Sequence, residues 1–159
     1  MLETDMQNQY RRPAIAVAVI TSFIMPFMGN ALNLSVPGVS EEFGVSAETV
    51  GWMVTAYMLP MAGFSVPFGR IADITSHRNV LIVGAVVFAC ACTAAAFAWS
   101  MTVLIVTRVI QGIGSAMILG CNIPLLIKSY PPQMRGKALG ISIGAVYVGG
   151  ACGPVIGGV

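Results

Sequence analysis

The chain is 159 residues long, with 57% hydrophobic residues, only 9% charged residues and a formal net charge of +2. Soluble globular proteins carry about 25% charged residues, so this composition excludes a water-soluble domain with a polar exterior. The small, scattered charge also excludes a nucleic-acid-binding surface. A lipid bilayer is therefore the predicted surrounding of the chain.

Five segments are long and apolar enough to cross a bilayer, since about 20 helical residues span the hydrocarbon core. The spans are predicted at residues 14–36, 47–68, 80–98, 102–127 and 138–159. Lipid-exposed backbone must satisfy its own hydrogen bonds, and the alternating pattern of a barrel strand is absent from the sequence, so all five are predicted to be helices. We expect a polar cytoplasmic tail at residues 1–12 and an all-α transmembrane bundle at residues 13–159.

The basic residues predict the orientation of these helices. Seven of the eight fall on one side of the predicted membrane: Arg11, Arg12, Arg70, Arg78, Lys128, Arg135 and Lys137. The loop after the first segment and the start of the second segment contain three glutamates, Glu41, Glu42 and Glu48, and no Lys or Arg. The positive-inside rule therefore predicts a multi-pass protein of the plasma membrane with its N-terminus in the cytoplasm.

The first predicted helix carries polar and proline residues on one face: Pro26, Asn30, Asn33 and Pro37. Two amides facing lipid would be costly, so we expect both asparagines to face the protein interior. Two roles are equally compatible with this position: an interhelical hydrogen-bond pair or the lining of a substrate cavity.

The short connection at residues 69–79, GRIADITSHRN, is predicted to be a cytoplasmic loop. Asp73 lies among Arg70, His77 and Arg78, which is typical of a charge network at two helix ends, where such charges complement the helix dipoles. An ordinary solvated turn is the simpler interpretation, and it predicts an exposed His77.

The eighth basic residue, Arg108, lies within the fourth apolar segment, LIVTRVIQGIGSA. An arginine near the centre of a membrane helix costs about 2.5–3.5 kcal/mol on insertion scales. Gln111, Ser115 and Asn122 follow on nearly the same helix face, so this face is predicted to meet other helices or a wet cavity. Arg108 is then either a structural cation held by backbone carbonyls or part of a transport pathway.

The closing segment, GGACGPVIGGV, places Gly149, Gly153 and Gly157 four residues apart on one helix face. Small residues at this spacing let a partner helix approach to backbone contact. Pro154 removes one helical hydrogen bond, which neighbouring helices tolerate in a membrane. By itself the pattern predicts tight helix packing and no particular activity.

The cysteines lie in apolar runs and are interpreted as small buried apolar side chains. Cys90 and Cys92 would point to different faces of a helix, so they do not form a metal-binding pair. The sequence predicts no metal site, no cofactor and no catalytic constellation, and hence no enzyme.

From Phe27 onward the chain resembles the N-terminal part of a major facilitator superfamily transporter, in the drug:proton antiporter branch with 14 spans. The end of the chain resembles the antiporter motif Gly-xxx-Gly-Pro-xx-Gly-Gly at Gly149, Gly153, Pro154, Gly157 and Gly158. The fourth segment resembles the fourth-helix motif at Leu104, Arg108, Gln111, Gly112 and Gly114. Residues 51–59, GWMVTAYML, resemble the second-helix signature of the same branch.

The sequence departs from the family pattern in two places. The loop motif Gly-xxx-Asp-Arg-x-Gly-Arg-Arg is represented by Gly69, Asp73 and Arg78, but its other positions differ. In the first helix Met28 stands where the branch usually has an aspartate. That region therefore offers no carboxylate to carry a coupling proton.

The resemblance implies alternating access, in which two six-helix bundles rock around a site at the membrane midplane. It implies proton handling by Arg108 and Gln111, gating at Gly69, Asp73 and Arg78, and a role of the glycine-rich fifth helix in the bundle interface and export direction. The implied substrate is a small, amphipathic or drug-like compound exchanged for protons.

Five helices form only an incomplete N-terminal bundle of such a transporter. We therefore expect the chain to be a fragment that ends after the fifth helix and works with a missing C-terminal half. The alternative is a short membrane protein without transport activity, which acts in assembly or oligomerisation through its glycine face, or a decayed transporter gene.

Overall fold

The structure is a computed structural model that describes residues 16–31 and 36–157. All regular secondary structure in these residues is α-helical, which confirms the all-α class. The helices are α1 (Ala16–Ala31), α2 (Val36–Phe43), α3 (Ala47–Ile74), α4 (His77–Ala96), α5 (Met101–Ser129) and α6 (Pro132–Gly157). The predicted polar tail, Asn33 and Gly158 lie outside the described residues.

Four of the described helices, α3 to α6, are long and apolar enough to cross a membrane. The described part of α1 is apolar but shorter. Prolines lie inside these helices without ending them: Pro60 and Pro67 in α3, Pro124 in α5 and Pro154 in α6. Membrane helices tolerate such prolines because neighbouring groups satisfy the freed carbonyls.

The segment before α3 is more ordered than the predicted loop, because it forms the short helix α2. Pro37 belongs to α2 and not to the polar face of the first helix. Gly44 follows α2 with a φ of 58°, a left-handed conformation that glycine adopts without strain and that commonly ends a helix. Ser46 then caps α3, accepting a hydrogen bond from the backbone N–H of Thr49 at 3.4 Å.

The predicted loop at residues 69–79 is mostly helical, so that prediction is wrong. Gly69 and Asp73 lie in the last turns of α3, and Arg78 lies in the first turn of α4. Only Thr75 and Ser76 connect the two helices, which form an antiparallel hairpin. The drop in the hydropathy of the sequence marks the predicted end of the membrane span. The backbone hydrogen bonds of the helix continue beyond that point.

The chain divides into two compact units. The first, here the α1–α6 unit, contains α1, the end of α5 from Asn122, and α6. The second, here the α3–α4 unit, contains α2, α3, α4 and α5 as far as Cys121. Leu126 and Ala138 lie in the core of the first unit, and Val50, Met53 and Met101 pack in the second.

Candidate functional site

Arg108 is buried within α5, with only 5% of its surface exposed. Its Nη1 donates a hydrogen bond to Oε1 of Gln111 at 2.9 Å. Gln111 lies one turn further along the same helix and is 2% exposed. Arg108 and Gln111, which were predicted to share one helix face, are therefore in direct contact.

The second hydrogen bond of Gln111 leads from α5 to α4. Its Nε2 donates to Sγ of Cys92 at 2.9 Å. Cys92 is half-buried, whereas Cys90, two residues earlier, is exposed. The interpretation of Cys92 as a purely apolar side chain is therefore wrong, because its thiol is the acceptor that links the two helices. Nothing in the sequence around Cys92 pairs it with Gln111, since 19 residues separate them.

A hydroxyl pair joins α5 to α3 in the same unit. The hydroxyl oxygens of Tyr57 and Ser115 lie 3.1 Å apart and share a hydrogen bond. Ser115 is fully buried, as its position on the polar face of α5 predicts. Tyr57 was not predicted to be a site residue, although it lies in the second-helix signature. These five residues form what we call the Arg108 cluster: Tyr57, Cys92, Arg108, Gln111 and Ser115.

Glycines bring the helices of the Arg108 cluster into backbone contact. A Cβ on Gly112 would collide with the carbonyl oxygen of Tyr57 in α3. A Cβ on Gly114 would lie 2.8 Å from the backbone nitrogen of Phe88 and 3.0 Å from the carbonyl oxygen of Gly84, both in α4. The two glycines therefore allow short side chains to bond across helices that would otherwise stand further apart.

The charge of Arg108 has no acidic partner in the part of the chain that the structure describes. Its Nε is buried and makes no hydrogen bond there either. The last acidic residue of the whole sequence is Asp73, so α4, α5 and α6 carry no carboxylate at all. Burying a cation in this way is costly, and such charges in membrane helices are usually functional.

In the α1–α6 unit, α1 packs against the glycine face of α6. A Cβ on Gly149 would collide with the carbonyl oxygen of Phe23, and one on Gly153 would lie 2.8 Å from that of Phe27. Asn30 adds a hydrogen bond from its Nδ2 to the carbonyl oxygen of Gly150 at 3.0 Å. This contact is the interhelical role considered for Asn30, and its role in lining a cavity stays a prediction.

A second buried polar network, here the Asn122 network, joins three helices of the α1–α6 unit. Nδ2 of Asn122 in α5 donates to Oγ of Ser22 in α1 at 2.8 Å. The Oγ of Ser22 lies 2.8 Å from the Oγ of Ser142 in α6, within hydrogen-bond distance. Asn122 shares a helix face with Arg108 in the sequence, but its hydrogen bonds belong to this separate network.

The charged residues at the α3–α4 connection include one close pair. Nε2 of His77 lies 3.3 Å from Oδ1 of Asp73, one helical turn earlier in the sequence. His77 is only 7% exposed, so the predicted exposure of this side chain is wrong. The two-residue connection between the helices places His77 in the first turn of α4, beside Asp73. Arg70 and Arg78 are exposed.

Comparison with known proteins identifies relatives over almost the whole chain. A family profile described as "Major Facilitator Superfamily" matches residues 18–159. The riboflavin transporter RibZ of Clostridioides difficile is 26% identical over 145 residues, which cover 91% of this chain and 32% of RibZ. The cephamycin export protein CmcT of Amycolatopsis lactamdurans is 33% identical over 147 residues, which cover 92% of this chain and 30% of CmcT.

A solved structure has the same fold. It is a bacterial homologue of the human lysosomal transporter Spinster in an inward-facing, unoccupied conformation, with a TM-score of 0.81 and 20% sequence identity. The match covers 93% of this chain and 31% of that one. The chain therefore spans about a third of the length of the proteins that it matches, and the resemblance to this superfamily is confirmed.

Proposed function

The chain belongs to the Major Facilitator Superfamily, and from this we propose that it forms the N-terminal part of an exporter of small organic compounds. The names of two relatives, a riboflavin transporter and a cephamycin export protein, support a small-molecule substrate. Because the matched region is about a third of each relative, the proposed transport needs a further C-terminal half.

The observation that carries this proposal is the buried Arg108 cluster. Arg108 and Gln111 are nine-tenths or more buried in a helix that is long enough to span a membrane, and Gln111 links the pair to the side chain of Cys92 in α4. A helix that served only as an anchor would gain nothing from a buried cation. Charged residues at this depth are retained where a solute or an ion passes through the bundle.

Proton coupling is the finer part of the proposal. Arg108 and Gln111 would take part in proton handling. The guanidinium of Arg108 can pair with a neighbouring carboxylate when that group has lost its proton and release it when the proton returns. That carboxylate is absent at Met28 and from the sequence after Asp73. We therefore place the proton-carrying carboxylate in the C-terminal half.

Alternating access would use two parts of the described chain, the α3–α4 connection and the packing of α6 against α1. Gly69, Asp73 and Arg78, at the α3–α4 connection, would open and close the transport pathway. Gly149 and Gly153 would keep the backbone of α6 close to that of α1. The resemblance also assigns Pro154, Gly157 and Gly158 to the antiporter motif. The charge distribution supports a plasma-membrane protein with its N-terminus in the cytoplasm.

The test is a comparison of dye efflux from bacteria that lack their own efflux pumps. One strain would produce these 159 residues alone, and another the proposed longer protein that contains them. We expect uncoupler-sensitive efflux only with the longer protein. Efflux from the 159 residues alone would refute the need for a C-terminal half, and no efflux from either would refute export.

The alternative of a short assembly protein has less support. It requires the glycine face of α6 to be available for another chain. Gly149 and Gly153 instead meet the backbone of Phe23 and Phe27 in the same chain. A face that is already covered by α1 does not offer a second helix the same contact.

A further inference from the structure

The Arg108 cluster contains more hydrogen-bond donors than acceptors. Arg108 has five N–H groups, and the described residues provide one acceptor for them, Oε1 of Gln111. Its Nε is buried without a hydrogen bond among these residues. Tyr57 and Ser115 add two hydroxyls that satisfy one another through a single hydrogen bond. The cluster as a whole is thus cationic and rich in donors.

We propose that the Arg108 cluster is a binding site for a small anionic group, a carboxylate or a sulfonate, on the transported compound. Planar guanidinium groups bind such oxyanions through paired N–H donors. The sequence after Asp73 supplies no competing carboxylate. That the anionic group belongs to a transported compound rests on the proposed function. That the cluster binds an anion rests on the side chains of the cluster alone.

Cys92 connects this site to its surroundings and serves as its reporter. The side chain of Gln111 bridges Arg108 and Cys92, since it accepts from the first and donates to the second. Cys92 is half-buried, so part of its surface is accessible although Arg108 is enclosed. A reagent that reaches the thiol therefore comes within one amide group of the guanidinium.

Charged methanethiosulfonates can test the site by their rates of reaction with Cys92. The thiolate sulfur attacks the sulfenyl sulfur of the reagent, a mixed disulfide forms, methanesulfinate leaves, and the thiol proton passes to solvent. The anionic reagent is sulfonatoethyl methanethiosulfonate, and the cationic one is trimethylammonioethyl methanethiosulfonate. The protein is the full chain in phosphatidylcholine nanodiscs, with Cys90, Cys121 and Cys152 changed to Ser.

The quantity compared is the rate of reaction with the anionic reagent divided by the rate with the cationic reagent. We expect this ratio to be about tenfold or more higher for Cys92 than for free mercaptoethanol, because a local positive charge attracts the anionic reagent. Arg108→Gln should abolish this preference, and Arg108→Lys should retain it. A matched variant that keeps only Cys90 should show no preference, because that thiol is exposed and has no described bond to the cluster.

A competition experiment provides a second measurement without any change to Arg108. Benzenesulfonate should slow the reaction of Cys92 with the neutral reagent methyl methanethiosulfonate, and trimethylphenylammonium should not. Equal normalised rates for the two charged reagents would overturn the proposal, as would a thiol that reacts with neither or a preference that persists in Arg108→Gln. Neither experiment requires transport, so a failure of dye efflux would leave this result unaffected.

Discussion

Arg108 and Gln111, one turn apart on α5, are joined by a hydrogen bond of 2.9 Å from the guanidinium to the amide oxygen. The Nε2 of the same amide donates a hydrogen bond to Sγ of Cys92 on α4. Two hydrogen bonds thus connect the buried guanidinium of Arg108, through Gln111, to a side chain on a different helix.

Arg108→Ala should abolish transport by the longer protein without preventing its insertion into the membrane. The substitution removes a charge whose insertion costs about 2.5–3.5 kcal/mol, so insertion becomes easier. Dye efflux measures transport, and glycosylation mapping measures insertion. Arg135→Ala is the matched control, because Arg135 is only half-buried and its Nε donates to a backbone carbonyl, that of Tyr130, at 3.1 Å. Efflux by Arg108→Ala at the unsubstituted rate would contradict the prediction.

Gly153→Ala should destabilise the α1–α6 unit, because the new Cβ would lie 2.8 Å from the carbonyl oxygen of Phe27 and 2.9 Å from the Cβ of Asn30. Overpacking of this kind costs about 1–3 kcal/mol. Gly140→Ala is the matched control on the same helix, since nothing lies within 4 Å of its new Cβ. It should raise stability by up to about 1 kcal/mol through helix propensity. The thermal unfolding temperature in detergent should therefore fall for Gly153→Ala and rise for Gly140→Ala. Equal shifts would argue against close packing at Gly153. Gly153→Leu should block transport as well.

Ser22 and Ser142 should be energetically coupled across α1 and α6. Their hydroxyl oxygens lie 2.8 Å apart in a buried site. Double-mutant cycles of such bonds in a membrane protein average about 0.6 kcal/mol, so we expect this coupling between Ser22→Ala and Ser142→Ala in unfolding free energies. Thr21 is the control, because among the described residues its hydroxyl bonds only to carbonyls of its own helix. Thr21→Val and Ser142→Ala should be additive to within about 0.5 kcal/mol, and equal coupling in both cycles would exclude a specific bond.

His77→Ala should destabilise the α3–α4 hairpin more than Asp73→Asn does. The histidine is 7% exposed, and the aspartate side chain is 58% exposed. Loss of the buried ring costs packing and a hydrogen-bonding group, about 1–3 kcal/mol, whereas a charge on an exposed side chain contributes about 0–1 kcal/mol. Arg78→Ala, at an exposed neighbour, should stay within about 0.5 kcal/mol of the unsubstituted protein. Thermal unfolding tests this order, and a larger effect of Asp73→Asn would reverse the argument.

The connection between α3 and α4 should lie in the cytoplasm, and the one between α4 and α5 outside. Arg70 and Arg78 flank the first connection, whereas the second carries Trp99, which is 81% exposed and suited to the interface. In a cysteine-free background, Ser100→Cys should react with an impermeant maleimide on intact cells. Ser76→Cys should react only after permeabilisation. The opposite pattern would invert the topology and remove the basis for a cytoplasmic N-terminus.

Much of the fold could be predicted because lipid leaves the backbone few choices. A helix is the form that satisfies its own hydrogen bonds, so apolar length alone indicated where α3 to α6 lie. The helix ends were less predictable, as Asp73 and Gly69 show. They lie in α3 and not in a loop, because hydropathy follows the membrane boundary and helical bonding does not stop there.

The candidate site was predictable on one helix and not beyond it. Helical spacing placed Gln111 and Ser115 on the face of Arg108, and all three are buried. It contained no information on Cys92 or Tyr57, which come from α4 and α3. An isolated thiol or phenol in an apolar segment looks the same whether it meets lipid or a glutamine.

The sequence by itself determined the solvent, the helical class and the residues that could not face lipid, because these follow from transfer energies and a period of 3.6 residues. Only the tertiary structure decided which groups pair: Gln111 with Cys92, Ser22 with Ser142, and the glycine face of α6 with α1. These pairings join residues that are 19 to 126 positions apart. They depend on which helices approach to backbone contact, and that approach is a property of the packed bundle.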